Sequence, residues 1–285
     1  MSDITCIYHG NCADGYGAYM AVLHHHNYTG VFGFAGNYGQ PTPPDDRIVD
    51  KIVIIVDFSY PRDVLLDMAS KAKSLIVIDH HKSAQEDLSG GVWPENVTIH
   101  FDMEHSGAML AWLWFNEANP PQLIRHIEDR DLWRFKLSGT KEVMAAVFSY
   151  PYNVMDWREL MFERDINDLR IEGQALRRDM TKRINALLEQ YSYMGTFAGF
   201  NVPMLNAPHF YASEAGSIMC EHHHFAVVYS YSGDYVHVSL RSKDDGEDVS
   251  VIANQFGGGG HRNAAGLRIT AEEAFTMLAE VPIND

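Results

Sequence analysis

Asp79-His80-His81 places three ionisable side chains in succession after an apolar run, Ser74-Leu75-Ile76-Val77-Ile78. Packing gives no reason for such a tripeptide at the end of a buried strand, whereas carboxylate and imidazole together are ligands for a divalent cation. The arrangement repeats. Lys51-Ile52-Val53-Ile54-Ile55-Val56 ends in Asp57, and Ile4-Thr5-Cys6-Ile7-Tyr8 ends in His9, followed by Gly10-Asn11-Cys12-Ala13-Asp14-Gly15. Such a set suits a divalent metal site. The bland alternative is a solvated loop that happens to hold two histidines. Three strand tips of the same chemical type outweigh it.

The elements that must position these residues are legible around them. Tyr60 to Ala69 has a helical pattern with proline in its first turn. Strand, helix, strand over roughly 30 residues forms a βαβ crossover, so the two strands are parallel neighbours. Their tips then lie side by side at the carboxyl edge of an open sheet, where ligands bind. Asp57, Asp79 and His80 converge there, and His9 with Asp14 joins them if the first strand belongs to the same sheet. Beyond them, Lys82 to Asp87 reads as a polar loop and Val97 to Phe101 as a strand. Ser106 is a candidate N-cap for a helix reaching Phe115. Pro120-Pro121 opens a helix from Gln122 to Glu128, which runs into Asp129-Arg130-Asp131-Leu132-Trp133.

Residues 156–190 form a charged amphipathic stretch, read as one or two helices. A second unit follows. It comprises a strand at Phe200–Asn206, a helix at Tyr211–Glu221 and a hairpin of Phe225–Tyr231 with Tyr235–Arg241. A short helix, Val249–Phe256, leads into Gly257-Gly258-Gly259-Gly260-His261-Arg262-Asn263-Ala264-Ala265-Gly266. A glycine run lets backbone N–H groups approach an anion, and His261 and Arg262 beside it can bind the charge. Arg241-Ser242 is a second candidate anion contact. The two histidine runs, His24-His25-His26 and His222-His223-His224, each end a helix, where imidazolium complements the helix dipole. The expected fold class is α/β. A parallel-sheet N-terminal domain (1–155), a helical linker (156–194) and a smaller α/β C-terminal domain (195–285) would enclose an active-site cleft.

Composition narrows the function. The chain has 285 residues, enough for one large or two ordinary domains, and its formal net charge is −16. No basic stretch is visible, which argues against binding long nucleic acid through a cationic face. A small phosphate-bearing substrate held by metals and a few arginines remains compatible. Cys6, Cys12 and Cys220 form no ligand spacing and no disulfide framework, so a reducing cytoplasm is expected. No signal-like segment opens the chain, and no apolar run matches a membrane span.

His9 to Gly15, the strand-end Asp57, Asp79-His80-His81, Asp131-Leu132-Trp133 and the segment Gly257 to Gly266 together resemble the DHH phosphoesterase superfamily. The resemblance covers nearly the whole chain, and the last segment is similar to the signature of the DHH-associated C-terminal domain. A short chain without nucleic-acid accessory domains most resembles the oligoribonuclease, short-RNA-degrading branch. The resemblance implies two manganese ions, with magnesium or cobalt as alternatives. His9, Asp14 and Asp57 would hold one, and Asp57, His80 and Asp131 the other, with Asp57 bridging. Asp57, Asp79 and His81 would be catalytic, His81 reaching the scissile phosphate. Substrate binding would fall to Arg241, Ser242, Gly258, Gly259, Gly260, His261, Arg262 and Asn263. Two departures stand out. Tyr16 replaces a further aspartate that many relatives carry, and four residues rather than three separate His9 from Asp14, which implies a weaker second metal. Asp129 competes with Asp131 for the last ligand position, and the neighbouring aromatic favours Asp131.

The expected function is hydrolysis of short oligonucleotides to mononucleotides by a monomer or homodimer that binds neither membrane nor long nucleic acid. The alternatives are a phosphodiesterase or phosphatase on cyclic dinucleotides or nucleoside bisphosphates, and a non-catalytic metal- or nucleotide-binding regulator.

Overall fold

Strands rich in Val and Ile assemble the first sheet: β1 (Ile4–His9), β2 (Val31–Gly36), β3 (Ile52–Val56), β4 (Ser74–Asp79) and β5 (Val97–Phe101). They pair in the order β2-β1-β3-β4-β5, parallel throughout. Between and after them run α1 (Ala13–His25), α2 (Arg62–Lys71), α3 (Lys82–Leu88), α4 (Gly107–Phe115), α5 (Gln122–Asp131), α6 (Thr140–Val147), α7 (Val154–Phe162) and α8 (Ile166–Tyr191). This computed structural model describes residues 3–278, so residues 279–285 of the expected second domain lie outside the described residues.

A parallel sheet must be covered on both faces. Successive strand residues supply this by pointing to opposite sides. Cys6, Ile54, Val56 and Ile78 pack into one core with Met20, Trp112 and Trp157, while Ile7, Val53, Ile55 and Val77 pack into another with Phe58, Leu65 and Met68. The register sets Tyr8 beside Val56, and Val56 beside Ile78. The residues that follow each of these, His9, Asp57 and Asp79, therefore emerge at one edge.

Two elements of this unit differ from the sequence reading. Residues 82–87 are helical as part of α3, not a loop; Gln85 N donates to His81 O (3.0 Å) and buried Leu88 anchors the last turn. The edge strand β2 is additional. Its Gly33 lies against the Tyr19 ring, where a Cβ would collide with the phenol.

The chain divides into two units, Met1–Arg177 and Arg178–Asp285. Residues 156–194 are shared between them. Trp157, Leu160, Met161 and Leu169 are buried in the first unit's core, and Ile184 in the second's. The second unit holds β6 (Ser192–Phe197), β7 (Phe200–Asn206), α9 (Ala212–Met219), β8 (Ala226–Ser232), β9 (Tyr235–Arg241), α10 (Val249–Asn254), β10 (Gly259–His261), β11 (Ala264–Thr270) and α11 (Ala271–Met277). The order is β10-β11-β9-β8-β7-β6, antiparallel except for β7 and β8, whose parallel pairing requires the crossover through α9.

Candidate metal centre

Asp57 is the hub of the first unit's carboxyl edge. It sits just past β3 in the left-handed backbone region (φ 54°), anchored by its N–H donating to Ile78 O at 3.0 Å. A non-glycine residue held there signals a conformation imposed by its surroundings, of the kind that clusters at functional sites. Its side chain lies against the first residue of α4, Gly107, where any Cβ would collide with the carboxylate. Asp57 Oδ1 lies 3.1 Å from His80 Nε2, and Oδ2 lies 3.6 Å from His9 Nδ1. Asp57 is 1 % exposed, and Oδ2 accepts no hydrogen bond among the described residues.

Two further carboxylates approach His80 Nε2 at 3.6 Å each: Asp14 Oδ2 and Asp131 Oδ2. Asp14, in the first turn of α1, also accepts from Gly107 N (2.6 Å) and Ala108 N (2.9 Å), so the amino end of α4 fixes its carboxylate. Asp131 ends α5, and its buried Oδ2 accepts no hydrogen bond among the described residues. Asp129 is placed differently. It accepts from Lys136 N (2.7 Å), Leu137 N (3.0 Å) and Thr140 Oγ1 (2.5 Å), which pins the turn after α5 and leaves Asp131 to face the histidines.

Three ligand groups contain Asp57, each with donor atoms within 4.8 Å of one another: Asp14, Asp57 and His80; His9, Cys12 and Asp57; and Asp57, Asp79 and His81. Asp79 is engaged in orienting His81, so the first two are the candidate ion positions, and Asp57 is common to both. Asp14 thus groups with His80 rather than with His9, and a cysteine with no ligand spacing to the other cysteines stands beside His9 in its place.

The electrostatics of this cluster call for positive charge. Burial alone would raise the Asp57 carboxyl, but the adjoining His80 and His9 imidazoles hold it well below the usual range. Burial, Asp57 and Asp131 push Asp14 well above it. Burial opposes protonation of His80 and His9, yet the surrounding carboxylates, Asp57 foremost, raise both above an ordinary imidazole. Protons on these histidines offset a surplus of buried negative charge, which divalent cations would neutralise more completely. Residues and charge together fit a metal centre.

Asp79 serves a different purpose. Its Oδ1 accepts from His80 N (2.8 Å) and pairs with His81 Nδ1 (2.7 Å), and its Oδ2 accepts from Ser59 Oγ (2.8 Å). It is wholly buried, and the His81 charge draws its carboxyl below the usual range despite the opposing effect of burial. Asp79 therefore orients His81 and the chain at His80, a positioning part that spacing alone did not separate from a catalytic one. Ser59 was not foreseen; it lies just past Asp57, within reach of the neighbouring tip. Tyr16 is 4 % exposed and packs among Tyr8, Tyr19, Tyr152 and Trp157, with ring centroids 4.9–5.6 Å away. It is a core residue, held by aromatic packing.

In the second unit the second half of the glycine run is a strand, β10. Gly259 pairs with Gly266 and His261 with Ala264, and a Cβ on Gly258 or Gly260 would collide with Gly266, Ala264 or Ala265. The close approach that these glycines permit is to β11. Arg262 donates to Gly246 O (2.9 Å) and Asp244 O (3.3 Å), and Asn263 Nδ2 donates to Asp244 Oδ1 (2.6 Å). Ser242 Oγ donates to Arg262 O (3.3 Å). Arg241, at the end of β9, reaches Ser213 Oγ at 3.0 Å.

Comparison with known proteins agrees with this architecture. Residues 213–281 match the family model of the DHHA1 domain. Over 96 % of its length the chain superposes on RecJ of Thermus thermophilus in complex with Mn2+, with a TM-score of 0.51, 14 % identity and coverage of 50 % of that chain. An exopolyphosphatase-related protein of Bacteroides fragilis superposes over 97 % of this chain and 90 % of its own, with a TM-score of 0.50 and 15 % identity. The chain carries a DHHA1 domain and shares the fold of these proteins. The five-stranded parallel sheet carries the candidate metal cluster, and the DHHA1 match falls on the unit of the six-stranded mixed sheet. A nearer relative in sequence is the uncharacterized protein R106 of Acanthamoeba polyphaga mimivirus, 33 % identical over 291 residues and matching 92 % of this chain. The chain spans 66 % of that relative's length. Among the described residues, no helix is long and apolar enough to cross a membrane.

Proposed function

We propose that this protein is a metal-dependent phosphodiesterase that hydrolyses short oligonucleotides to mononucleotides, with manganese as its working ion. The observation that carries the reading is the pair of ligand groups sharing Asp57 at the carboxyl edge of the sheet. His9 and Asp57 would hold one ion, and Asp14, Asp57, His80 and Asp131 the other. The ions would supply charge neutralisation of the phosphodiester and water that ionises near neutral pH. Carboxylate-rich ligation with two imidazoles suits manganese, and the fold is shared with a RecJ whose structure holds that ion.

The chain's own residues supply the rest. Asp79, gripped by Ser59, presents His81 so that its other ring nitrogen can donate a proton to a leaving oxygen. Arg241 and His261 of the DHHA1 unit are the phosphate-binding candidates, which would favour short oligonucleotides over isolated phosphodiesters. The engagement of Arg262 and Asn263 with residues 244–246 supports a loop-holding role for them rather than substrate binding. Free thiols at Cys6, Cys12 and Cys220 suit a reducing compartment.

The test is a substrate panel assayed with manganese, magnesium, cobalt and zinc. A linear dinucleotide should be cleaved fastest with manganese, ahead of a cyclic dinucleotide and a nucleoside bisphosphate. Preference for either of the latter would move the assignment to a cyclic-dinucleotide phosphodiesterase or a bisphosphate phosphatase. No turnover with any ion would favour a binding protein.

A further inference from the structure

We propose that Cys12 Sγ is a thiolate ligand of the ion beside His9, which makes the two metal positions chemically unequal. This rests on the metal-dependent reading above. Cys12 lies at the N-cap of α1, three residues after the strand tip His9. The turn from β1 into α1 brings Cys12 Sγ, a His9 ring nitrogen and an Asp57 oxygen within 4.8 Å of one another. A second observation marks the same point. Asp57 is 1 % exposed and its Oδ2 accepts no hydrogen bond among the described residues; His9 Nδ1 lies 3.6 Å from it. A buried carboxylate oxygen in that condition is aimed at something positive.

The neighbouring anions among the described residues are engaged elsewhere. Asp14 is held by the amides of Gly107 and Ala108 and leans toward His80. Asp79 is engaged by Ser59, His81 and the His80 amide. Tyr16 is buried among aromatic rings. The position beside His80 therefore draws on Asp14, Asp57 and Asp131, whereas the position beside His9 has only the shared Asp57 and a neutral imidazole unless Cys12 contributes. On binding, the metal–sulfur bond forms as the S–H bond breaks, and the proton leaves to solvent. The consequence is selectivity. A thiolate favours softer ions such as zinc, cobalt or cadmium, while an oxygen-rich shell favours manganese or magnesium. The position beside His9 would thus tolerate softer ions than the one beside His80, while both accept manganese.

Cobalt(II) titration of the full chain tests this. A near-ultraviolet sulfur-to-cobalt charge-transfer band should grow as cobalt binds and should be absent in Cys12→Ser, while visible cobalt bands from the other position persist. In the unmodified protein, cobalt should protect Cys12 from iodoacetamide at least about 10-fold, the lower range expected when a metal site loses a supporting group; peptide mapping distinguishes it from buried Cys6 and Cys220. Cys12→Asp should weaken cadmium binding by on the order of 10–100-fold while strengthening manganese binding. If cobalt binds at two positions without the band and without protecting Cys12, the thiolate assignment is overturned and the metal centre stands. If no cobalt binds, both fall. The alkylation measurement uses the native chain, so it decides even if a variant fails to fold.

Discussion

Asp57 and Arg262 are both charged and both sit where a strand ends, yet their surroundings treat them in opposite ways. Asp57 is buried at the tip of β3, held by an imposed backbone conformation and a glycine that makes room for it, with one oxygen accepting no hydrogen bond among the described residues. Arg262 lies half-exposed in the turn between β10 and β11, and its guanidinium donates to the carbonyls of Asp244 and Gly246. An exposed cation tied to local carbonyls costs little and stabilises a loop. A buried carboxylate with an unused oxygen costs folding energy and is tolerated when a ligand recovers it. The parallel-sheet edge is therefore suited to hold positive charge, and the β10–β11 turn is built around its own neighbours.

The sharpest way to break this contrast is Asp57→Asn. It removes charge from both metal positions while keeping shape, so turnover should fall by more than the roughly 10⁴-fold upper range for losing one proton-transfer group. Calorimetry should show both manganese binding events weakened. Near-native turnover at saturating manganese would refute the shared position.

Asp79→Asn should act less severely. It leaves the metal ligands in place but loosens His81, so kcat should drop roughly 10–100-fold, as for outer partners of metal sites, with manganese stoichiometry unchanged. A loss of bound metal would instead make Asp79 a ligand.

The pH dependence has a defined sign. In chelator-treated protein His80 and His9 hold their protons more tightly than free imidazole. Their contribution to folding is complete below about pH 6.5 and is lost as pH rises through the raised folded values. Asp14, whose carboxyl is raised, adds to the loss at higher pH, while Asp57, whose carboxyl is lowered, gives stability that fails only in acid. Metal-free protein should therefore melt lower at about pH 8 than at about pH 6, and manganese should raise Tm more at the higher pH. Equal shifts at both would exclude the histidines as ligands.

Arg262→Ala should have the smallest effect. Losing its loop contacts should cost about 1 kcal/mol or less, with the KM for a dinucleotide unchanged. A large rise in KM would place Arg262 on the substrate.

Much of this architecture is written in the sequence, where local pattern and tertiary environment agree. The Val- and Ile-rich runs ending in His9, Asp57 and Asp79 are strands, Ser106 accepts from Met109 N as the cap of α4, and proline opens α2 and α5. Illegible elements lacked a local signal. β2 is interrupted by glycines that only the Tyr19 ring and the neighbouring core explain, and β6 follows α8 without a turn residue between them. Asp129 and Asp131 carry the same side chain two positions apart, and only the Thr140 hydroxyl and the Lys136 and Leu137 amides separate support from ligand geometry. Cys12 has no second cysteine at ligand spacing. The available signal was His9-x-x-Cys12 across a strand-to-helix turn.

The central claim, two metal positions that share Asp57, is tested most directly by anomalous diffraction at the manganese edge from crystals grown with that ion. The account predicts two peaks about 3.5–4 Å apart, one bounded by His9 and Asp57 and the other by Asp14, Asp57, His80 and Asp131. A single peak, or peaks that leave Asp57 uncoordinated, would contradict it.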